Sequence, residues 1–378
     1  MFKKTAGFFF IFFTISFGIS WAGNKELKLE VPSALLMEPR TGTILYEKDA
    51  DIRLTPASLV KMMTLYLTFE HMRNYRIDPS SEVSISRKAS RVGGRQIYLK
   101  EREKITLDAL IKSAAVFSAN DAAYALAELV AGTEDQFVEM MNDKADELGL
   151  SNTHFCNSHG LPETDPDRKQ YTTARDLALL ARWIMVDCPE VFAYTQIQDD
   201  TIRDGAFSLV NTNDLLKQRD DVYGLKTGFV QTAGYCVVIT ANRSNFHLIA
   251  VVMGARTKPA RFLLASRMLD FGFSNYKLIS IDSLPAAKTV PVFLADQESV
   301  GVKLAAPIEM LVGRDQNRQP EFGYSLPESL EAPIPYLKRI GWVTISFSDS
   351  AKVVAPLIVE QDVPKTNSWW KKIVYKFF

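Results

Sequence analysis

The sequence predicts an α/β (α+β) fold followed by a small all-β domain. Strand and helix patterns alternate as far as about residue 276, and apolar runs bounded by turn residues distinguish the strands from the helices. Beyond that point only short β-rich runs remain, including 342–347 and 353–359, separated by Pro, Gly, Asp and Ser. We therefore expect one domain over 23–276 and a β-rich domain over 277–363.

The first elements predict a hairpin and then a helix. Residues 31–46 form two apolar runs around the turn 38–42, which is typical of a β-hairpin. Thr55 and Pro56 supply an N-cap and a first helical position. An apolar helix is therefore expected from these residues to about residue 72.

Later segments continue the alternation. Apolar residues at helical spacing predict helices at about 106–116, 121–131, 137–148 and 173–187. Three adjacent strands are expected at 222–227 and on either side of a polar break, 242–245, within 235–253. A last helix is expected at 261–271.

The N-terminal segment, 1–22, predicts a cleaved export signal. Lys3 and Lys4 precede an apolar block, 6–19, and the segment closes on Ser20-Trp21-Ala22. The block is shorter than the roughly 20 apolar residues of a comfortable membrane span. An uncleaved anchor remains the alternative.

The C-terminal segment, 364–378, predicts an amphipathic helix that lies in a membrane surface. At helical spacing, one half carries apolar and aromatic side chains: Trp369, Trp370, Ile373, Val374, Phe377 and Phe378. The other half carries Lys371, Lys372 and Lys376. This composition favours the lipid headgroup region over docking onto the protein's own core.

The charge and the cysteine content bear on the partners and on the disulfides that can be expected. The chain has 44 basic and 44 acidic residues and shows no basic stripe, so no nucleic-acid partner is expected. Cys156, Cys188 and Cys236 follow no framework spacing; one pair could form in an oxidising compartment, and Cys236 is expected to be a buried thiol.

The first chemical motif is Ser58-Leu59-Val60-Lys61. Ser58 and Lys61 lie three residues apart and so share one helix face. Apolar neighbours and the helix N-terminus both favour a neutral lysine amine, which can take the proton of a serine nucleophile. The alternative is a buried helix start with a lysine that reaches solvent.

Two more polar groups follow at Ser118-Ala119-Asn120. A hydroxyl at Ser118 can relay a proton, and an amide at Asn120 can orient Lys61 and a substrate carbonyl. Taken alone, the pair is better explained by Asn120 capping the helix that follows it.

The third motif, Lys226-Thr227-Gly228, combines a cation, a hydroxyl and a residue without a side chain. This set suits the recognition of a terminal carboxylate, with Gly228 allowing close approach to a strand edge. An ordinary strand ending in a turn is the alternative. Together the three motifs predict acyl transfer without a histidine base, a metal or a cofactor.

These motifs, in this order, resemble the penicillin-binding proteins and class A β-lactamases. The surrounding sequences TPASLVKMMTLYLTFE, FSANDAAYALAELVAG, NSHGL, TTARDLALLARWI and YGLKTGFVQTAGYCVV are similar to those of the low-molecular-mass D-alanyl-D-alanine carboxypeptidases of the penicillin-binding protein 5/6 group. The resemblance covers essentially the whole chain after the export signal. It implies an antiparallel sheet with helices on both faces, followed by the group's C-terminal β domain and membrane anchor.

The resemblance also implies a role for each site residue. Ser58 forms the acyl-enzyme, Lys61 is the general base, and Ser118 with Asn120 completes proton transfer and orientation. Lys226, Thr227 and Gly228 bind the substrate carboxylate, assisted by Arg261. A helix-terminal surface arginine is the alternative for Arg261. His159 and Asp176 match family motifs too, but structural roles are expected for both.

The implied enzyme removes the terminal D-alanine from peptidoglycan stem pentapeptides at the periplasmic face of the inner membrane, and β-lactams acylate it. The alternatives are a muropeptide endopeptidase, a β-lactamase, or a weakly catalytic wall-binding protein. Val60, Ala119, Val230 and the loop 94–99 depart from the family pattern and put rate and stem-peptide preference in question.

Overall fold

The structure is a computed structural model, and it describes residues 27–368 apart from 164, 166, 316–318 and 348–351. The expected export signal, 1–22, lies outside the described residues, as do residues 369–378 of the expected terminal helix. The described chain separates into two units, with the boundary between Ser274 and Asn275.

A five-stranded antiparallel sheet organises the described part of the first unit, in the order β2-β1-β9-β8-β7. The strands of this unit are β1 Ser33–Glu38, β2 Thr43–Lys48, β3 Glu82–Ser84, β4 Lys104–Thr106, β5 Asp199–Ile202, β6 Phe207–Val210, β7 Val222–Val230, β8 Gly234–Arg243 and β9 Phe246–Ala255. The expected hairpin is β1–β2, and the expected three adjacent strands are β7, β8 and β9. Strand β7 lies at an edge of the sheet.

Helices cover both faces of this sheet. They are α1 Lys61–Tyr75, α2 Leu107–Lys112, α3 Asn120–Ala131, α4 Glu134–Glu147, α5 Ala174–Asp187, α6 Val191–Thr195 and α7 Lys258–Asn275. Alternate residues of a strand face opposite sides of a sheet. On β1, Leu35 joins the buried cluster that includes α1 and α5, whereas Leu36 lies against Gly272 of α7. The fold class predicted from the sequence is confirmed.

The start of α1 differs from the prediction. Thr55 does not cap a helix and Pro56 is not its first residue: Pro56 is the N-cap of a 3-10 turn, Ala57–Val60, and the α-helix begins at Lys61. Ala57 has a φ of 50°, in the left-handed region that a non-glycine residue rarely adopts. The helical-propensity signal was overridden by the close packing of this turn against β7, where a Cβ on Gly228 would lie 2.9 Å from the Pro56 oxygen.

The second unit is all-β in its described residues. Its strands are β10 Tyr276–Ile281, β11 Lys288–Phe293, β12 Ser299–Leu304, β13 Ile308–Gly313, β14 Glu321–Ser325, β15 Leu330–Glu331, β16 Arg339–Ser346 and β17 Lys352–Val359. Residues 364–368, which the sequence assigned to the start of the terminal helix, are not helical. The Thr366 N–H donates to the Leu294 oxygen at 2.7 Å, and the Thr366 hydroxyl donates to Asp296 at 2.5 Å.

Two further findings bear on compartment and stability. None of the helices in the described part of the chain is both long and apolar enough to cross a bilayer. Cys156, Cys188 and Cys236 are all buried and all unpaired. Burial raises the pKa of the Cys236 thiol to about 11, so the expected inert role fits its surroundings.

Candidate active site

The 3-10 turn and the first residue of α1 place Ser58 beside Lys61. Ser58 is partly exposed, whereas the Lys61 side chain is completely buried. The Lys61 Nζ donates to Ser58 Oγ at 3.1 Å, to Asn120 Oδ1 at 2.7 Å and to the His159 carbonyl oxygen at 2.6 Å. The three-residue spacing therefore gives a direct serine–lysine hydrogen bond.

Burial changes the chemistry of Lys61. Loss of hydration lowers the pKa of its ammonium to about 7, an effect opposed by the charge of Asp121 and reinforced by that of Arg95. At neutral pH a substantial fraction of Lys61 is thus the neutral amine. A neutral amine has two N–H donors and one lone pair.

Each of the three oxygen partners of Lys61 pairs with one group of the neutral amine, either an N–H or the lone pair. The Asn120 amide oxygen and the His159 carbonyl only accept hydrogen bonds, so they take the two N–H groups. The Ser58 hydroxyl alone can donate a proton to the lone pair. Deprotonated Lys61 is therefore oriented as a base toward Ser58.

Asn120 does not have the capping role that was the alternative for it. It is the first residue of α3, whose N-cap is Ala119, and no side chain caps that end. Its Oδ1 accepts from Lys61, and its Nδ2 donates to the Gly93 carbonyl at 2.9 Å. The side chain thus joins the buried lysine to the segment that precedes Ile97.

Ser118 and Lys226 form a second pair. Ser118 follows a π-helical turn, Ser113–Phe117, and has a left-handed backbone with φ 65°. The Lys226 Nζ donates to Ser118 Oγ at 2.8 Å and to the Thr227 carbonyl at 3.2 Å. Burial lowers the pKa of Lys226 well below its usual value, and the Lys61 charge acts in the same direction. The charge on one lysine therefore affects the pKa of the other.

Thr227 and Gly228 lie on the edge strand β7. The Thr227 hydroxyl donates to the hydroxyl of Thr212 at 2.7 Å. Gly228 packs against the turn that carries Ser58, since a Cβ there would approach the side chains of Leu59 and Ala57 to 3.2 and 3.3 Å. The strand edge and the serine turn are consequently in contact.

Arg261 is not the surface residue that was the alternative for it. Its side chain is buried and donates to the carbonyls of Gly228 at 3.2 Å, Cys236 at 3.4 Å and Thr212 at 3.4 Å. Loss of hydration lowers the pKa of its guanidinium to about 10, so it is charged at neutral pH. The Arg261 guanidinium places a fixed positive charge behind the Lys226–Gly228 segment.

The family motif placed His159 and Gly160 near the site, but sequence reasoning missed that the backbone of residues 157–160 contributes to it. The Ser158 N–H and hydroxyl both donate to Glu134, at 3.0 and 2.6 Å, and Asn157 Oδ1 accepts from the Gly160 N–H at 2.7 Å. These bonds hold the His159 carbonyl against Lys61. Burial, and then the Lys61 charge, lowers the pKa of the His159 ring to about 3. The ring is therefore neutral at neutral pH and is only a weak base.

Gly160 belongs to the same segment and has a φ of 88°. A Cβ on it would lie 2.0 Å from the Ala57 oxygen and 2.9 Å from the Ser58 nitrogen. The NSHGL sequence therefore contributes close backbone packing against Ala57 and Ser58. Asp176 is structural, as expected, because its carboxylate accepts from the Asn152 N–H at 2.8 Å and the Thr153 hydroxyl at 2.7 Å.

Comparisons with known proteins give the family. Residues 22–257 match the family described as D-alanyl-D-alanine carboxypeptidase, and residues 273–365 match the C-terminal domain of penicillin-binding protein 5. The first match alone covers more than half of the chain. This chain belongs to the D-alanyl-D-alanine carboxypeptidase family.

Individual relatives agree with this assignment. The D-alanyl-D-alanine carboxypeptidase DacF of Bacillus subtilis is 35% identical over 91% of this chain and 88% of its own length. The crystal structure of penicillin-binding protein 5 from Haemophilus influenzae superposes with a TM-score of 0.80 at 30% identity, covering 91% of this chain and 100% of that one. Penicillin-binding protein D2 from Listeria monocytogenes, in its ampicillin-bound form, gives 0.60 at 31% identity over 66% of this chain and 100% of its own.

The resemblance inferred from the sequence is therefore confirmed. The chain is an enzyme of the D-alanyl-D-alanine carboxypeptidase family, a family of serine hydrolases that acts on the peptides of peptidoglycan. The described geometry shows which of its side chains are in position for that chemistry.

Proposed function

We propose that this carboxypeptidase releases the terminal D-alanine of a stem pentapeptide through an acyl-enzyme on Ser58. The observation that carries the proposal is the set of three oxygen partners around Lys61, which leaves its lone pair for the Ser58 hydroxyl. With a pKa of about 7, Lys61 is in part a neutral amine, and so available as a base, at neutral pH.

In acylation, Ser58 Oγ attacks the carbonyl carbon of the penultimate D-alanine while Lys61 takes the hydroxyl proton. Backbone N–H groups of the serine turn and of the adjoining β7 edge stabilise the oxyanion. When the C–N bond breaks, Ser118 gives its hydroxyl proton to the departing amine and is reprotonated with the proton that Lys61 took from Ser58, so Lys61 is again a neutral amine before deacylation. Lys226 donates to Ser118 Oγ, which leaves the Ser118 O–H free to donate.

In deacylation, water attacks the ester carbonyl and gives a proton to Lys61. The Ser58–carbonyl bond breaks, Ser58 recovers its proton, and the tetrapeptide leaves. Thr227 and Gly228 on β7, supported by the Arg261 charge behind them, bind the terminal carboxylate of the pentapeptide, to which the Thr227 hydroxyl donates in place of Thr212. β-Lactams carry a carboxylate in the same relation to their reactive carbonyl, so we propose that they acylate Ser58.

Release of free D-alanine from a pentapeptide tests this mechanism. We expect Ser58→Ala to lose measurable release and to form no covalent adduct with benzylpenicillin by intact-mass analysis. Ser81→Ala is the matched control, because Ser81 is an exposed serine whose N–H donates to the Asp78 oxygen at 3.0 Å, away from the site. Retained D-alanine release by Ser58→Ala would exclude the proposed nucleophile.

We also propose that the enzyme works at the periplasmic face of the inner membrane, attached through its C-terminal segment. The pattern of Trp369 and Trp370 opposite Lys371 and Lys372 supports this. Because Thr366 is bonded to Leu294 and Asp296, a truncation after Ser368 leaves those contacts intact. Chains from residue 23, ending at 368 or 378, should differ in flotation with phosphatidylglycerol-containing vesicles; equal flotation would contradict the anchor.

A further inference from the structure

The proposed mechanism does not use Arg95, an exposed arginine next to the residues proposed to be catalytic. Its carbonyl oxygen accepts from the Asn120 N–H at 2.7 Å, and the neighbouring Gly93 carbonyl accepts from Asn120 Nδ2 at 2.9 Å. The backbone that carries Arg95 is therefore fixed to the residue that also holds Lys61.

The rest of this segment is fixed as well. The buried carboxylate of Asp121 accepts from the N–H groups of Ile97 and Leu99, each at 3.1 Å. The Arg203 guanidinium donates to the Ile97 carbonyl at 2.7 Å. Arg95 thus projects from a loop with a defined backbone, so less ordering is needed when a ligand binds.

Aromatic rings support the Arg95 side chain. Its guanidinium carbon lies 4.8 Å from the centre of the Phe117 ring. Phe117 meets Phe207 edge-to-face at 5.5 Å, and Phe207 in turn lies 6.4 Å from Tyr98, which is 69% exposed. A guanidinium on an aromatic face keeps its N–H edge available for a planar anion.

The charge of Arg95 has no acidic partner within the described residues, where no ion pair or hydrogen bond satisfies its guanidinium. It nevertheless acts on the site, because it lowers the pKa of Lys61, Lys226 and Arg261. The two guanidinium groups, Arg95 and Arg261, favour a substrate with more than one carboxylate. Thr227 and Arg261 account for the terminal one.

We propose that Arg95, with the Phe117–Phe207–Tyr98 surface, binds a second carboxylate, carried by the acyl portion of the stem peptide upstream of the scissile bond. Arg95 is hydrogen-bonded through its backbone to Asn120 at the start of α3, whereas the terminal carboxylate is assigned to β7. This inference rests on the proposed carboxypeptidase function and makes Arg95 a specificity-determining residue. The carboxylate has two possible sources: the side chain of a diamino acid at position three, or the free carboxylate of the γ-linked glutamate at position two.

The test compares Arg95→Gln with wild type on defined pentapeptides at pH 9, where Lys61 is deprotonated in both. The substrates carry diaminopimelate, its side-chain amide or lysine at position three, and glutamate or isoglutamine at position two. We expect Arg95→Gln to lower kcat/KM about three- to ten-fold, mainly through KM, on the substrate that bears the recognised carboxylate. The penalty should disappear when that carboxylate is amidated, which identifies its position.

Arg91→Gln is the matched control, since Arg91 is an exposed arginine on the same segment without an aromatic contact among the described residues. It should leave all the rates unchanged. Diacetyl-lysyl-D-alanyl-D-alanine, which carries only the terminal carboxylate, separates the two hypotheses. No D-alanine release from it by wild type would overturn the proposed function. Equal losses in Arg95→Gln on every substrate, or no loss on any, would overturn the role of Arg95 alone.

Discussion

Lys61 and Lys226 are both fully buried, and each donates a hydrogen bond to a different serine of the site. Lys61 bonds to Ser58 at 3.1 Å and Lys226 to Ser118 at 2.8 Å. Burial lowers the pKa of each amine, and the Lys61 charge lowers that of Lys226 further. Two ammonium groups together are thus unfavourable, and deprotonation of one relieves both.

The first prediction concerns the pH dependence of acylation. In the proposed mechanism the neutral Lys61 amine is the base, and burial lowers its pKa to about 7, so kcat/KM should rise roughly ten-fold per pH unit below pH 7 and level off above it. Asp121→Asn should move this limb to lower pH, since the Asp121 charge raises the pKa of Lys61. Benzylpenicillin acylation rates from pH 5 to 9 measure both effects, and an unshifted limb in Asp121→Asn would assign it to another group.

The second prediction concerns stability. Lys61 titrates at about 7 in the folded chain and near 10.5 when unfolded, so between these values the unfolded chain binds one more proton. Stability should therefore rise with pH in this window, and Lys61 should contribute about 2 kcal/mol between pH 7 and 9. Urea unfolding of wild type and Lys61→Met at the two pH values checks this; equal pH dependence in both would refute the buried-amine account.

The third prediction concerns the packing of Gly160 against the turn that carries Ser58. Gly160→Ala places a methyl group 2.0 Å from the Ala57 oxygen and adds a strained φ, so it should lower the free energy of unfolding by roughly 3 kcal/mol or more. Gly149→Ala is the control, with a similar φ of 74° and nothing within 4 Å of the new Cβ. It should cost about 1 kcal/mol and leave acylation intact. Similar losses in both variants would mean that the close approach is unimportant.

The fourth prediction concerns carboxylate recognition on β7. Thr227→Val keeps the side-chain shape but removes the hydroxyl that contacts Thr212. We expect kcat/KM for a pentapeptide to fall on the order of ten-fold, mainly through KM, with little change in unfolding. Thr227→Ser should restore most of the activity. If serine behaves like valine, the methyl group rather than the hydroxyl is what matters.

Much of this architecture was predictable because its signals are local. The apolar runs of β7, β8 and β9 and the spacing of Ser58 and Lys61 are visible in the sequence. The pairing of β1 with β9 was not, because it joins residues about 200 positions apart, such as Leu35 and Val251. The predicted start of α1 was wrong, because packing against β7 outweighs the helix-start signal of Thr55 and Pro56.

The side chains of the site were predictable from local motifs, whereas its backbone groups and long-range contacts were not. Side chains with distinctive chemistry, such as Lys226, could be identified from their motifs. The His159 carbonyl could not, since every residue has a carbonyl and only the fold selects this one. The Thr212 contact was also missed, because a lone threonine in a polar run has no distinguishing pattern.

The three buried cysteines have a consequence for how this enzyme is made. Cys156, Cys188 and Cys236 remain thiols in the folded chain, so no covalent cross-link contributes to its native state. For an enzyme of a family that acts on the cell wall, this means that folding needs no thiol-oxidising catalyst. Its durability there depends on noncovalent packing alone, and it should be indifferent to the redox state of its surroundings.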